Sequence, residues 1–219
     1  MGHVVVTGAA GVLGAAVSQF LASQGHSVTG VDLAATTPDF PGTFIGGIDL
    51  TTAQGAASAQ ARIAAPVTGL VNVAGGFRWE TIVEGSPDSW DFLYRINVMT
   101  ALHMSRALLP QLIDSRGSIV NVGAAATLKA GLGMGAYTAS KSGVARLTES
   151  LAEELKDKGV RVNAVLPSII DTPINRADMG EADAPRWVKP VELAHVIAFL
   201  LSDGASAVTG ACLPVTGRV

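Results

Sequence analysis

The sequence predicts a doubly wound α/β fold: a parallel sheet of about seven strands, covered by helices on both faces in three layers. Three observations predict it. Short β-branched runs alternate with longer Ala-rich segments of helical character along the 219 residues. The strand segments are continuous apolar runs without clean alternation, as in sheets buried on both faces. A Gly-rich turn joins the first strand to the first helix, the place where such folds receive a ligand. No long polar linker and no internal repeat interrupts the series, so residues 1–219 are expected to form a single domain.

The elements follow in order. The first strand covers 4–6, and the turn after it opens a helix over 12–23. Strands at 27–31 and 43–48 run into Asp32 and Asp49. Thr51 can cap the next helix, which runs to about residue 64. A strand at 69–73 precedes a long helical stretch over 87–115, which Pro110 is expected to kink or end. A strand at 118–122, a helix at 135–158, a strand at 160–166, a helix at 190–202 and a short strand at 211–215 complete the chain. The longest irregular stretches, 75–86 and 173–189, both follow the C-terminal ends of strands.

Hydrophobic residues make up 48% of the chain and charged residues 15%, enough apolar matter for a large core. The net charge of −3 advertises no polyanionic partner, so nucleic acid is not expected. Cys212 is the one cysteine and is expected to be a buried apolar side chain. Residues 3–8 already read as strand and turn rather than a targeting signal, and no apolar run suits a membrane span. A cytoplasmic location and a small-molecule partner are therefore expected. His3, His26, His103 and His195 have no metal-ligand spacing, so no metal site is expected.

In the turn Thr7–Gly14, Gly8 permits a tight bend, Gly11 lets the backbone approach a pyrophosphate, and Gly14 lets the helix pack closely. The helix N-terminus offers free N–H groups and a partial positive charge to phosphates. Asp32 lies 18 residues after Gly14, where a carboxylate can accept hydrogen bonds from ribose hydroxyls and repel a 2′-phosphate. No lysine or arginine lies between Gly14 and Asp32, so NAD, as NADH, is favoured over NADP. Asp49 can meet the adenine amino group, or equally cap a helix beside Thr51.

Tyr137 and Lys141 stand four apart near the start of a helix, which puts both side chains on one face. An ammonium beside a phenol favours the phenolate, so the Tyr137 pKa is expected to fall below its usual value near 10. Such a phenol can exchange a proton with a reacting oxygen or nitrogen.

Taken together, these motifs resemble the short-chain dehydrogenase/reductase family, which has the Rossmann fold. Further matching segments are Asn72-Val-Ala-Gly75, Asn97, Tyr137-Thr-Ala-Ser-Lys141, Arg161-Val-Asn-Ala-Val-Leu-Pro167 and Asp171-Thr-Pro173. The resemblance implies an oxidoreductase with Tyr137, Lys141 and Asn97 as catalytic residues, Asn97 anchoring a proton-relay water through its helix. It implies that the cofactor is held by Val12, Leu13, Leu50, Asn72, Ala74, Gly75, Pro167, Ile170 and Thr172 in addition to the glycines, Asp32, Asp49, Tyr137 and Lys141. It also implies a homodimer or homotetramer, built on the long helices.

Two features depart from the commonest branch of that family. The glycines are spaced Thr-Gly-x-x-Gly-x-x-Gly. Ala124 stands 13 residues before Tyr137, where that branch carries a serine that hydrogen-bonds the substrate carbonyl. Losing such a contact costs roughly 10²–10³ in rate for a substrate that needs it. A narrower resemblance bears on this point: Ala74-Gly-Gly-Phe77, Asn121-Val-Gly-Ala-Ala-Ala126 and 165–187 are similar to dihydropteridine reductase. That branch reduces quinonoid dihydropterins with NADH and uses a Tyr–Lys pair without the serine. Three functions follow: an NADH-dependent reductase of an electron-poor conjugated or carbonyl substrate, a general alcohol dehydrogenase or ketone reductase, and a non-catalytic dinucleotide-binding scaffold. Phe77 can stack on a flat substrate or simply pack its loop. Trp79 and Trp187 can close over the ligand, and Asn175 and Arg176 can orient it or face solvent.

Overall fold

The computed structural model describes residues 2–219. Seven strands form one parallel sheet in the order β3-β2-β1-β4-β5-β6-β7. They are β1 (His3–Thr7), β2 (Ser27–Val31), β3 (Thr43–Ile45), β4 (Gly69–Asn72), β5 (Ser118–Val122), β6 (Arg161–Pro167) and β7 (Cys212–Val215). The strand order reverses between β1 and β4, which pair from Val4–Gly69 to Thr7–Asn72. A crevice therefore opens at the carboxyl ends of these two strands.

The helices are α1 (Val12–Ser23), α2 (Ala53–Gln60), α3 (Pro87–Tyr94), α4 (Thr100–Ser115), α5 (Gly135–Leu155), α6 (Pro173–Met179) and α7 (Pro190–Leu201). They close an apolar layer on each face of the sheet. On one face Val5, Leu70, Ile119 and Val162 pack with Met104, Leu108 and Leu112 of α4 and Leu151 and Leu155 of α5. On the other, Val4, Val6, Val71 and Val120 pack with Leu13, Val17 and Leu21 of α1 and Leu193, Ile197 and Leu200 of α7. Neighbouring strand residues thus feed opposite layers, and each large side chain stabilises the fold by about 1.5–3 kcal/mol.

Several expectations are corrected. β3 ends at Ile45 rather than residue 48, because Gly46 and Gly47 turn the chain back onto the end of β2. Gly47, at φ +72, donates its N–H to the Ala34 carbonyl, and Ile48 donates to Asp32. Thr52, not Thr51, caps α2: its Oγ1 accepts from Gly55 N–H, while Thr51 donates to Asp49. That helix stops at Gln60, short of residue 64.

Pro110 neither ends nor interrupts α4. Pro110 and Arg106 are both exposed, so the Arg106 carbonyl that loses its helical partner can turn to water. The stretch 87–115 is instead interrupted by a single wide π turn at Arg95–Met99. The expected loop 173–189 contains α6, capped by Thr172 with Pro173 in its first turn. Cys212 is half-buried rather than fully buried. No helix among the described residues is long and apolar enough to cross a membrane.

Candidate active site

A cleft of about 500 Å³ lies at the switch point, lined by the β1–α1 turn, Asp32, Asp49, Leu50, Ala74, Gly75 and Thr172. The turn is built by contacts that admit only glycine. Gly8 has φ +63, and a Cβ there would sit 2.8 Å from the Ala74 nitrogen. A Cβ on Gly14 would run into the Gly8 carbonyl. Gly11 precedes α1 with no side-chain cap, and no acidic residue stands in the first turn. The first-turn N–H groups, including those of Val12 and Leu13, are therefore free for an anion.

Asp32 closes the far end of this cleft. Its Oδ2 accepts from Ala10 N–H at 2.9 Å and its Oδ1 from Ala34 N–H at 2.9 Å. One carboxylate thus ties the phosphate turn to the end of β2. Asp49 accepts from both the N–H and the hydroxyl of Thr51, and these bonds hold its carboxyl below the usual carboxylate range. The described residues lining the cleft include these two carboxylates and no lysine or arginine.

The other end of the cleft is the Gly75–Gly76 wall, with α5 behind it. A Cβ on Gly75 would strike Asn97 Oδ1 and come within 3.4 Å of Lys141 Nζ. Asn97, buried in the π turn, accepts from Gly76 N–H at 3.0 Å and donates to the Gly76 carbonyl at 3.1 Å. Its amide also donates to Ser140 Oγ at 3.0 Å, and Ser140 in turn donates to the Tyr137 carbonyl at 2.7 Å. The Asn97 side chain is therefore a clamp between this wall and α5. Both of its amide protons are thereby committed, and the wide turn around it departs from the ordinary helical ladder.

Lys141 is buried and donates to the Val122 carbonyl at 2.9 Å. Burial pushes its ammonium down to about 8. Burial also pushes the Tyr137 phenol up to about 12. This overturns the expected lowering by Lys141: the desolvation of the phenolate outweighs any help from the ammonium. A phenol held protonated in this way is a proton donor. The Phe77 ring meets Tyr137 edge to face, centroids 4.9 Å apart.

The remaining expected residues are placed less directly. Asn72 is buried beneath the cleft, donating to Ser105 and Asn121, so it supports the sheet. Pro167 ends β6 and pairs with Val215, and Ile170 bridges to Val188 behind the cleft. Trp187, expected to close over a ligand, is instead 3% exposed and borders a separate cavity with Lys189 and Arg218. Asn175 donates to the Ile170 carbonyl and Arg176 pairs with Asp171, so both fasten α6. Ala124 is buried, only 4% exposed.

The sequence reading gave no role to Thr7, whose Oγ1 accepts from both Val73 and Ala74 N–H and so locks β1 to the cleft wall. It also passed over Ser140, although that residue lies inside the Tyr137–Lys141 segment. Leu33, Ile96 and Ile174 line the cleft through apolar side chains that carried no motif.

A profile of the short chain dehydrogenase family matches residues 2–182. The chain belongs to that family. It is 29% identical to the 3-oxoacyl-acyl-carrier-protein reductase FabG of Vibrio cholerae over 97% of this chain and 95% of that protein. It is 35% identical to the same-named protein of Thermotoga maritima over 68% of this chain and 64% of that one. The (3R)-3-hydroxyacyl-CoA dehydrogenase of Mus musculus is 31% identical over 97% of this chain and 94% of its own length. Among solved structures, the ligand-free aldohexose dehydrogenase of Thermoplasma acidophilum has a TM-score of 0.91 at 28% identity, covering 99% of this chain and 93% of that one. As a short-chain dehydrogenase, the protein is an oxidoreductase that uses a nicotinamide dinucleotide and acts on small molecules.

Proposed function

We propose that the protein is an NADH-dependent reductase of an electron-poor, conjugated substrate of the quinonoid dihydropterin kind. The observation that carries this reading is Ala124. Its methyl, buried, stands where the commonest branch of the family carries a serine hydroxyl, so a plain carbonyl would meet no such donor there. A ring that is already electron-poor needs less polarisation and depends less on that donor.

The free N–H groups of α1 would hold the pyrophosphate, and Asp32 the adenosine ribose. The two cleft carboxylates, with no lysine or arginine beside them among the described lining residues, favour NADH over NADPH. When bound, the nicotinamide supplies the hydride. Tyr137, held protonated by burial, donates its proton to the substrate nitrogen or oxygen. Lys141, behind Gly75, would hold the nicotinamide ribose, and its ammonium would offset the negative charge left on Tyr137 once the phenol has given up its proton. Asn97 and Ser140 keep the Gly75–Gly76 wall at a fixed distance from Tyr137.

The names of the FabG and hydroxyacyl-CoA dehydrogenase relatives favour a second reading, reduction of an ordinary ketone with bound water in place of the serine hydroxyl. One experiment separates the two: NADH oxidation with quinonoid dihydropterin, a quinone and a simple ketone, for the wild type and Ala124→Ser. Dihydropterin or quinone turnover well above ketone turnover supports the first reading. A gain of about 10²-fold on the ketone in Ala124→Ser supports the second.

A further inference from the structure

The loop after β4 is fastened to the loop that leads into α5. The Trp79 indole lies across Gly133, which has φ +71, so a Cβ there would fall inside the ring. Beside this contact Glu80 N–H donates to the Gly133 carbonyl at 3.0 Å. Ile82 and Trp90 close on Gly135, 3.4 and 3.5 Å from the position of its Cβ. Phe77 lies two residues before Trp79, and Tyr137 two residues after Gly135. The joint thus fixes the distance between the two rings that meet edge to face.

Phe77 is nevertheless 54% exposed, so one side of its ring has no partner in the protein. The neighbouring segments also present bare apolar groups: Leu132 beside the joint is 79% exposed, and Ile174, on the cleft rim, 68%. An apolar rim next to a protonated phenol is a binding surface rather than a core. An edge-on ring is also the geometry in which an aromatic residue accepts a second ring.

We propose that Phe77 selects substrates with a flat aromatic or quinonoid ring, and that the Trp79–Gly133 joint is the positioning device that presents Phe77 beside Tyr137. This rests on the reading of Tyr137 as the proton donor to such a ring. Phe77 touches the substrate; Trp79 acts only through Phe77.

The test compares kcat/KM for two activated carbonyl compounds, the flat phenanthrenequinone and the small aliphatic butanedione, both with NADH. Phe77→Leu keeps the apolar volume and removes the ring. It should lower kcat/KM about tenfold for phenanthrenequinone, mainly through KM, and no more than about threefold for butanedione. Trp79→Ala should produce the same bias, and Trp79→Phe should recover part of it. Gly133→Ala should match Trp79→Ala, and the double variant should be no worse than either, since both break one joint. Equal losses on both substrates, or losses that multiply in the double variant, would overturn the proposal. If the wild type reduces neither compound, the reading of function fails while this inference is tested by binding. Phenanthrenequinone affinity in the presence of NAD, read by calorimetry, should weaken about tenfold in Phe77→Leu, and unchanged affinity would overturn it.

Discussion

Lys141 offers a measurement in which the stability of wild type and variant diverges with pH in a stated direction. Its ammonium is buried, and burial lowers its pKa from 10.5 to about 8. A folded-state pKa below the unfolded one means that the unfolded chain binds more protons between these two values. Stability therefore rises with pH across that window. At pH 7 the charge costs about 3 kcal/mol, and at pH 10 about 1 kcal/mol. Lys141→Met removes this cost but leaves the Val122 carbonyl without its donor, a loss of about 1–3 kcal/mol that does not depend on pH. The difference in stability between variant and wild type should thus drift by about 2 kcal/mol in favour of the wild type from pH 7 to pH 10. For a chain of this length that is a relative shift of about 4–8 °C in melting temperature. Urea and thermal unfolding of both proteins at pH 7, 8, 9 and 10 measure it. Parallel curves, with a constant gap within a few tenths of a kcal/mol, would refute the claim that Lys141 is buried as a charged group at neutral pH.

Other substitutions probe the remaining parts. Tyr137→Phe should lower turnover by about 10²–10⁴ while NADH affinity, read by fluorescence, changes little. Asn97→Ala removes three hydrogen bonds that hold Gly76 and Ser140. It should cost about 2–4 kcal/mol in urea unfolding and reduce kcat more than it raises KM. Gly8→Ala forces a side chain into positive φ against the Ala74 backbone. It should abolish NADH binding in calorimetry. Asp32→Asn, which keeps the shape but not the charge, should narrow the NADH-over-NADPH preference in kcat/KM at least tenfold.

How far the sequence foretold this site depends on the kind of interaction involved. Gly8 and Gly14 were legible because close backbone approach admits no other residue there, whereas a Cβ on Gly11 would meet only the Gly8 carbonyl, at 3.3 Å. Helix geometry put Tyr137 and Lys141 on one face, but it was the family resemblance, not that common spacing, that marked them as a site. The sign of the Tyr137 shift was not, since it depends on how much water the surrounding fold removes, and no spacing records that. Trp187 read as able to close over a ligand because it lies in a stretch without periodicity, yet the stretch folds into α6 and a short 3₁₀ turn, and the indole that follows them is buried. The Thr172-Pro173 pair did carry a helix-start signal for α6. Pro110 misled for the opposite reason: the rule against proline in helices weakens where the orphaned carbonyl faces water. Asn97 matched a family position, but its grip on Gly76 joins residues 21 apart and emerges only when α4 packs beside β4.

The two bonds of Asp32 have a consequence for the history of this cleft. The carboxylate that would read the ribose also braces Ala10 in the phosphate turn. A lineage exchanging one dinucleotide for the other could not swap this residue for a small or basic one and keep everything else in place. It would also need a new brace for Ala10, so the change calls for coordinated replacement at two sites. A change at the end of β2 would thereby be felt in the turn before α1, so the two ends of the cleft would have to be remodelled together.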